Sequence, residues 1–289
     1  MVLISAAAFG TLSILAKLAY SAGLGTFQLL AFRFVLAAGG MWALALLMRQ
    51  NPLLLNARQL LSLLALGSVV YTGQSTTYFT ALRSLPASLC ILIVYIYPSL
   101  VVLSGWLFSR RPVSGWHGVA VVGSFLGVGL LLGGTQFRIA WALVFAFAAP
   151  VLYTIYFLLG ERVMSSVPAL AASAIIMSGA ALAFCVMAVF DRQLVLPRTA
   201  TGWAVGFAIA TVPTMLAISL LMAGLPRIGA ARAALLSTLE PLVTVLLAVV
   251  LLGDHLSFLQ IAGGAFVILA VVVVQGAHLW RRGPTSALR

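Results

Sequence analysis

Apolar runs of roughly 20 residues follow one another along almost the whole chain, each long enough to cross about 30 Å of hydrocarbon at 1.5 Å per residue. In hydrocarbon every backbone N–H and C=O must be satisfied within the protein, so such runs are helices or strands of a closed barrel. They are too long for barrel strands and lack period-two alternation, which leaves helices. Ten spans are expected, at roughly 2–21, 26–48, 59–80, 86–108, 115–133, 139–159, 167–190, 201–222, 229–252 and 257–280. The connections are short and hold the breakers and charges: Gln50-Asn51-Pro52, Arg110-Arg111-Pro112, Glu161-Arg162, Asp191-Arg192 and Gly253-Asp254-His255. No loop is long enough for a soluble domain. The first run has no basic region before it and no cleavage site, so it reads as a retained span.

Composition agrees, at 63% hydrophobic and 7% charged. Lys and Arg number 16 against 4 Asp and Glu, an excess that in a soluble protein suggests nucleic acid. Here the basic residues sit singly or in pairs in short loops, with no stripe or recognition motif, so no nucleic-acid partner is expected. Positive-inside sorting accounts for them instead. An N-terminus inside puts Arg49, Arg58, Arg110, Arg111, Arg162, Arg227, Arg281, Arg282 and Arg289 on the cytoplasmic side. Arg83, Arg138, Arg192 and Arg198 then lie opposite, partly offset by Asp191 and Asp254, and both termini are cytoplasmic. Cys90 and Cys185, far apart in apolar runs, read as small core residues.

The chain is doubled. Ala234 to Thr244, in the ninth span, places Glu240 and Pro241 at mid-depth, and Ile91 to Phe108 repeats the pattern with Tyr97-Pro98. The offset that superposes Pro98 on Pro241 also brings Leu82 onto Leu225, Ala87 onto Ala230 and Ser114 onto Ser257, without gaps. Five spans per copy is an odd number, so the second copy enters the membrane inverted. The expected fold is all-α and polytopic, with one repeat over 1–137, an inverted one over 138–280, and a cytoplasmic tail over 281–289. Inverted repeats build alternating-access transporters, with the substrate site near the midplane between the halves.

The doubled pattern, with Arg33-Phe34-Val35-Leu36-Ala37, Leu239-Glu240-Pro241 running to Leu251-Leu252-Gly253-Asp254, and Gln260-Ile261-Ala262-Gly263 followed by Val267-Ile268-Leu269-Ala270, resembles the drug/metabolite transporter superfamily. Within it the chain is most similar to the ten-helix branch with two EamA-type repeats, over essentially its whole length. It departs where Tyr97 stands for Glu240 and Arg110-Arg111 for Gly253-Asp254. The resemblance implies a bacterial inner-membrane carrier that opens alternately to the two sides and exports amino acids or other small metabolites.

Aromatic residues sort by depth. Trp42, Trp106, Trp116, Trp141, Trp203 and Trp280 lie near span ends, as interfacial anchors do. Tyr71, Tyr95, Tyr97, Tyr153 and Tyr156 lie well inside spans, with Tyr78 nearer an end, where a phenolic hydroxyl needs a partner or a wet cavity. Tyr71, Gln74, Ser75 and Tyr78 recur at helical spacing and share one face. These residues are expected to line a central cavity that binds an apolar or aromatic solute; the bland alternative is hydrogen bonding between helices. Glu240, the one acid well inside a span, is either an ion-pair partner for Lys17, Arg33 or Arg232, or a group that binds a substrate ammonium or carries a proton. Lys17 and Arg33 are expected to snorkel to span ends. Pro98 and Pro241 free the carbonyls of Val94 and Ser237, making Ser237 a candidate for the pathway and the prolines candidates for gating hinges, or else static kinks. Gly123-xxx-Gly127 and Gly129-xxx-Gly133 predict close helix packing, within the chain or between protomers.

Enzymatic readings have little to stand on. His117, His255 and His278 are scattered at span ends, and HExxH, GxSG and P-loop patterns are absent; Gly127-Val128-Gly129 has no strand before it. No second intramembrane acid forms a dyad with Glu240, no filter of polar residues suggests a channel, and no cofactor or metal is expected. The reading is a carrier exporting a small solute, foremost an aromatic or hydrophobic amino acid. The alternatives are a translocase for lipid-linked intermediates and a non-transporting scaffold.

Overall fold

The computed structural model describes residues 1–109, 115–133, 140–164, 166–192, 196–228 and 230–280. Arg110, Arg111, Pro112, Ser114, Arg138, Gly229 and the tail 281–289 lie outside them. Ten long helical stretches follow in order. We number them α1 (Val2–Gly10 and Leu12–Ser21), α2 (Thr26–Leu47), α3 (Ala57–Ala65, a π turn Leu66–Tyr71, then Thr72–Ser84), α4 (Ala87–Val94 and Tyr97–Ser109) and α5 (Gly115–Gly133). The second five are α6 (Ala140–Met164), α7 (Ala169–Phe190), α8 (Ala200–Ala210, a π turn Thr211–Leu216, then Ala217–Ile228), α9 (Ala230–Ser237 and Leu239–Leu252) and α10 (Phe258–Trp280).

Nine of the ten are apolar enough to cross a membrane by composition alone. The exception is α3, whose second half carries Gln74, Ser75 and Tyr78, buried within the protein, with the partly buried Thr76 and Thr77 between them. The exposed surface is apolar instead: Leu126 of α5 and Leu246 and Val250 of α9 are each about 60% exposed or more, as a lipid-facing wall requires. The chain is therefore a multi-pass membrane protein. Helices α6 and α8 continue further than expected, through Glu161-Arg162 and Arg227, because charged residues continue a helix readily where water meets the bundle end.

Repeat geometry matches repeat sequence. The offset that places Pro98 on Pro241 carries the first residues of α2, α3, α4 and α5 onto those of α7, α8, α9 and α10. It also carries Arg49 onto Arg192, both left-handed at φ 58° and 52° just past helix ends. Equivalent pairs pack across the relating axis, α2 on α7 and α5 on α10, while α1 packs on α8 and α9 as α6 packs on α3 and α4. Between α2 and α7, Phe34 stacks on Phe184 with centroids 5.3 Å apart, and Trp42 Nε1 donates to Ser178 Oγ at 3.0 Å. Trp42, expected as an interfacial anchor, thus also serves as a helix-to-helix tie.

Helices α5 and α10 cross backbone to backbone. A Cβ on Gly127 would stand 2.7 Å from the Gly263 carbonyl, and one on Gly263 would stand 2.5 Å from that of Gly127. This close approach within one chain is what the glycine spacing encodes; Gly129, on the other face, has open space. Gly127→Ala is expected to lower stability in detergent by roughly 1–3 kcal/mol through overpacking, and Gly129→Ala to leave it unchanged or slightly raised; thermal unfolding of both variants checks this.

Candidate functional site

Three helices break at mid-depth, and the breaks meet. Pro98 and Pro241 remove N–H donors, and α4 turns at Tyr95-Ile96 while α9 turns at Thr238. Helix α1 breaks at Thr11, whose hydroxyl donates to the Ala8 carbonyl at 2.7 Å. Carbonyls released this way need donors from elsewhere. Thr244 Oγ1 of α9 donates to the Gly10 carbonyl at 2.9 Å. The Ser237 carbonyl, freed by Pro241, accepts from the Tyr95 hydroxyl at 3.1 Å, and the same hydroxyl faces Glu240 Oε2 at 2.9 Å. One phenol at the break of α4 thereby ties together the break and the carboxylate of α9.

Around this junction lies a cavity of about 540 Å³. Of the expected residues, Tyr71, Gln74, Tyr78, Tyr95, Tyr97, Tyr153, Ser237, Glu240 and Pro98 border it, as do Ser75 and the freed-carbonyl residue Val94. Tyr156 and Pro241 do not. Tyr156 lies one turn beyond Tyr153, stacked on it and 5.1 Å from the ring of Tyr71, which fills the lining position there. Pro241 packs inside the bundle, where it sets the break that orients its neighbours. One wall is aromatic: Tyr97 stands 4.6 Å from Tyr153 and 5.0 Å from Phe157, centroid to centroid.

Arg33 corrects the sequence reading. It does not snorkel: it is 3% exposed and borders the cavity, with Nε donating to Thr214 Oγ1 at 3.0 Å. Its guanidinium lies 4.8 Å from the Phe34 ring centroid and 5.5 Å from that of Phe79. Two signals pointed there, Arg33 sharing the face of buried Ala37, Met41 and Ala45, and Pro213 opening the π turn that presents Thr214. Thr214 Oγ1 itself donates to the carbonyl five residues back, Ile209, as Thr72 does to Gly67 in the matching π turn of α3. Such turns in a helix interior often mark functional sites. Glu240, for its part, is held by Tyr95 rather than by Lys17, Arg33 or Arg232.

The cavity reaches toward the bundle end that holds Met1, where Leu221, Leu225, Val274 and Gln275 line it and Val2 packs beside Gly224. At the other end the two copies are joined by hydrogen bonds. Asp254, just past the left-handed Gly253 that ends α9, accepts from the Ser88 N–H at 3.1 Å and Oγ at 2.8 Å at the start of α4. Lys17 of α1, partly buried, lies within electrostatic reach of the same carboxylate. Among the described residues no cluster of His, Cys, Asp or Glu is placed to hold a metal. Tyr95→Phe keeps the ring but strands the Ser237 carbonyl and Glu240; it is expected to cost about 1–3 kcal/mol, measured as a lower unfolding midpoint in detergent, whereas Tyr156→Phe leaves the midpoint unchanged.

Comparison with known proteins places this geometry. The chain is similar to a crystal structure that it matches with a TM-score of 0.69 at 21% identity, covering 97% of this chain and 96% of the other, which establishes the shared fold. No curated protein matches it in sequence. The model of the EamA-like transporter family matches residues 1–133 and again 140–275. Two matched repeats spanning nearly the whole chain mean that it belongs to the EamA-like transporter family, and is a membrane transporter of small molecules.

Proposed function

We propose that this protein exports small hydrophobic amino acids, aromatic ones foremost, across a bacterial inner membrane by alternating access, with both termini cytoplasmic. The observation that carries the reading is the central cavity at the junction of the two copies, bordered by the broken helices α4 and α9 and walled by Tyr97, Tyr153 and Phe157. A cavity of about 540 Å³ suits a solute of amino-acid size, and edge-on aromatic contacts favour a ring in it. Gln74, Ser75 and Ser237 supply polar handles, and Glu240 offers a site for an ammonium or a proton. Tyr71, Tyr78, Tyr95 and Tyr153 complete the binding surface, with Tyr156 backing two of them.

Pro98 and Pro241 act as the hinges in this reading. The breaks already lack the backbone bonds that a rocking motion would otherwise rupture, so α4 and α9 bend at low cost there. The Ser88–Asp254 contact joins the two copies at one end while the cavity reaches the Met1 end. The loop arginines that the sequence assigns to the N-terminal side outnumber those opposite nine to four, so under the positive-inside rule the Met1 end faces the cytoplasm, and the cavity is then poised to load cytoplasmic solute.

Counterflow in proteoliposomes tests the reading without assuming a driving force. Vesicles loaded with unlabelled phenylalanine are expected to accumulate labelled phenylalanine transiently; signal with threonine alone would remove the aromatic preference, and no signal with any amino acid would remove the substrate class. Tyr97→Leu is expected to raise the half-saturating phenylalanine concentration about three- to tenfold, the worth of one aromatic contact, while changing that for leucine little. Glu240→Gln is expected to keep counterflow but lose uptake driven by an imposed pH gradient; a retained response shows that protons do not travel through Glu240.

A further inference from the structure

The carrier reading leaves Arg33 unexplained. A guanidinium sealed from water is costly unless a negative charge or a full set of acceptors compensates it. Here Nε is committed to Thr214, the Tyr71 hydroxyl is a further side-chain hydrogen-bond partner and Tyr78 lies within electrostatic reach, but both are neutral phenols and supply no compensating charge. The chain has four acidic residues, and each is placed elsewhere: Glu240 on Tyr95, Asp254 on Ser88, Glu161 in the last turn of α6 and Asp191 at the end of α7. A purely structural tie between α2 and α8 needs only a neutral donor to Thr214. Yet this charge borders the cavity through which cargo passes.

We propose that Arg33 is the receptor for a carboxylate on the transported solute, and that a carboxylate is obligatory for recognition. This rests on the carrier reading above and adds to it the chemical group that the site demands. A guanidinium matches a carboxylate through two parallel N–H···O bonds, a fit that a lysine does not offer. Its π-turn anchor at Thr214 and the Phe34 and Phe79 rings fix the fork before solute arrives. One buried cation neutralises one charge, so the partner is a monoanion rather than a phosphate dianion. Glu240 borders the same cavity at the break of α9, among Tyr95, Tyr97 and Tyr153, and Tyr78 lies within electrostatic reach of both charges. The solute therefore spans the cavity with its anionic end at α2 and its apolar body along the aromatic wall.

The test uses the full chain in detergent and three probes that share a phenylethyl body: 3-phenylpropionate, phenethylamine and 2-phenylethylphosphonate. The carboxylate is expected to raise the unfolding midpoint while the amine does not and the phosphonate does so less. Arg33→Gln is expected to need about tenfold more carboxylate or higher for the same shift, the loss of one charge-assisted pair, and Arg33→Lys to fall between. Equal stabilisation by the amine, stronger stabilisation by the phosphonate, no stabilisation by any probe, or a carboxylate response in Arg33→Lys equal to that of the parent overturns the proposal, and the lysine variant decides the matter if the glutamine variant fails to fold. Absence of counterflow with any amino acid, by contrast, overturns the amino-acid reading while the stabilisation assay still decides the role of Arg33.

Discussion

A peptide carbonyl released in hydrocarbon must find a donor, and the centre of this protein is arranged by that requirement. Proline at 98 and 241 opens the two helices that flank the cavity. The Ser237 carbonyl is then satisfied by a phenol from the opposite copy, which also holds the sole acid in the membrane interior. Thr244 does the same for the break in α1. Helix breaks of this kind are tolerable only where they face protein or a polar cavity, so the breaks and the cavity occur together.

Symmetry builds the container and asymmetry furnishes it. One offset relates nearly all helix starts, the paired π turns recur in the third helix of each copy, and equivalent helices cross about one axis. The charges do not follow it. By that offset Arg33 corresponds to Ile176 and Glu240 to Tyr97, so each copy gives the cavity one charged group of opposite sign. With two unlike charges and an aromatic flank, the cavity lining lacks the symmetry of the helices around it.

Legibility followed the physics of each signal. The spans, the doubling and the prolines are local or periodic properties, and they were readable. The shared face of Tyr71, Gln74 and Tyr78 was readable too, because polar residues at helical spacing cannot face lipid. Arg33 was misread because an arginine in the first third of a span is within reach of a membrane surface; only the packing of Phe34, Phe79 and Thr214 around it keeps it inward. Tyr156 was misplaced because helical phase gives a direction without giving depth, and its neighbour Tyr71 occupies the place it would have taken.

By itself the sequence determined that the chain crosses the membrane in ten helices, that it is two related copies, and that α4 and α9 are interrupted. Those follow from length, hydropathy and a missing N–H, each a property of a residue and its near neighbours. Tertiary structure alone decided which phenol satisfies which carbonyl, that Gly127 and Gly263 touch, that Arg33 and Glu240 are held without each other, and that Ser88 meets Asp254. These are contacts between residues far apart in the chain, and their partners are chosen by how whole helices pack.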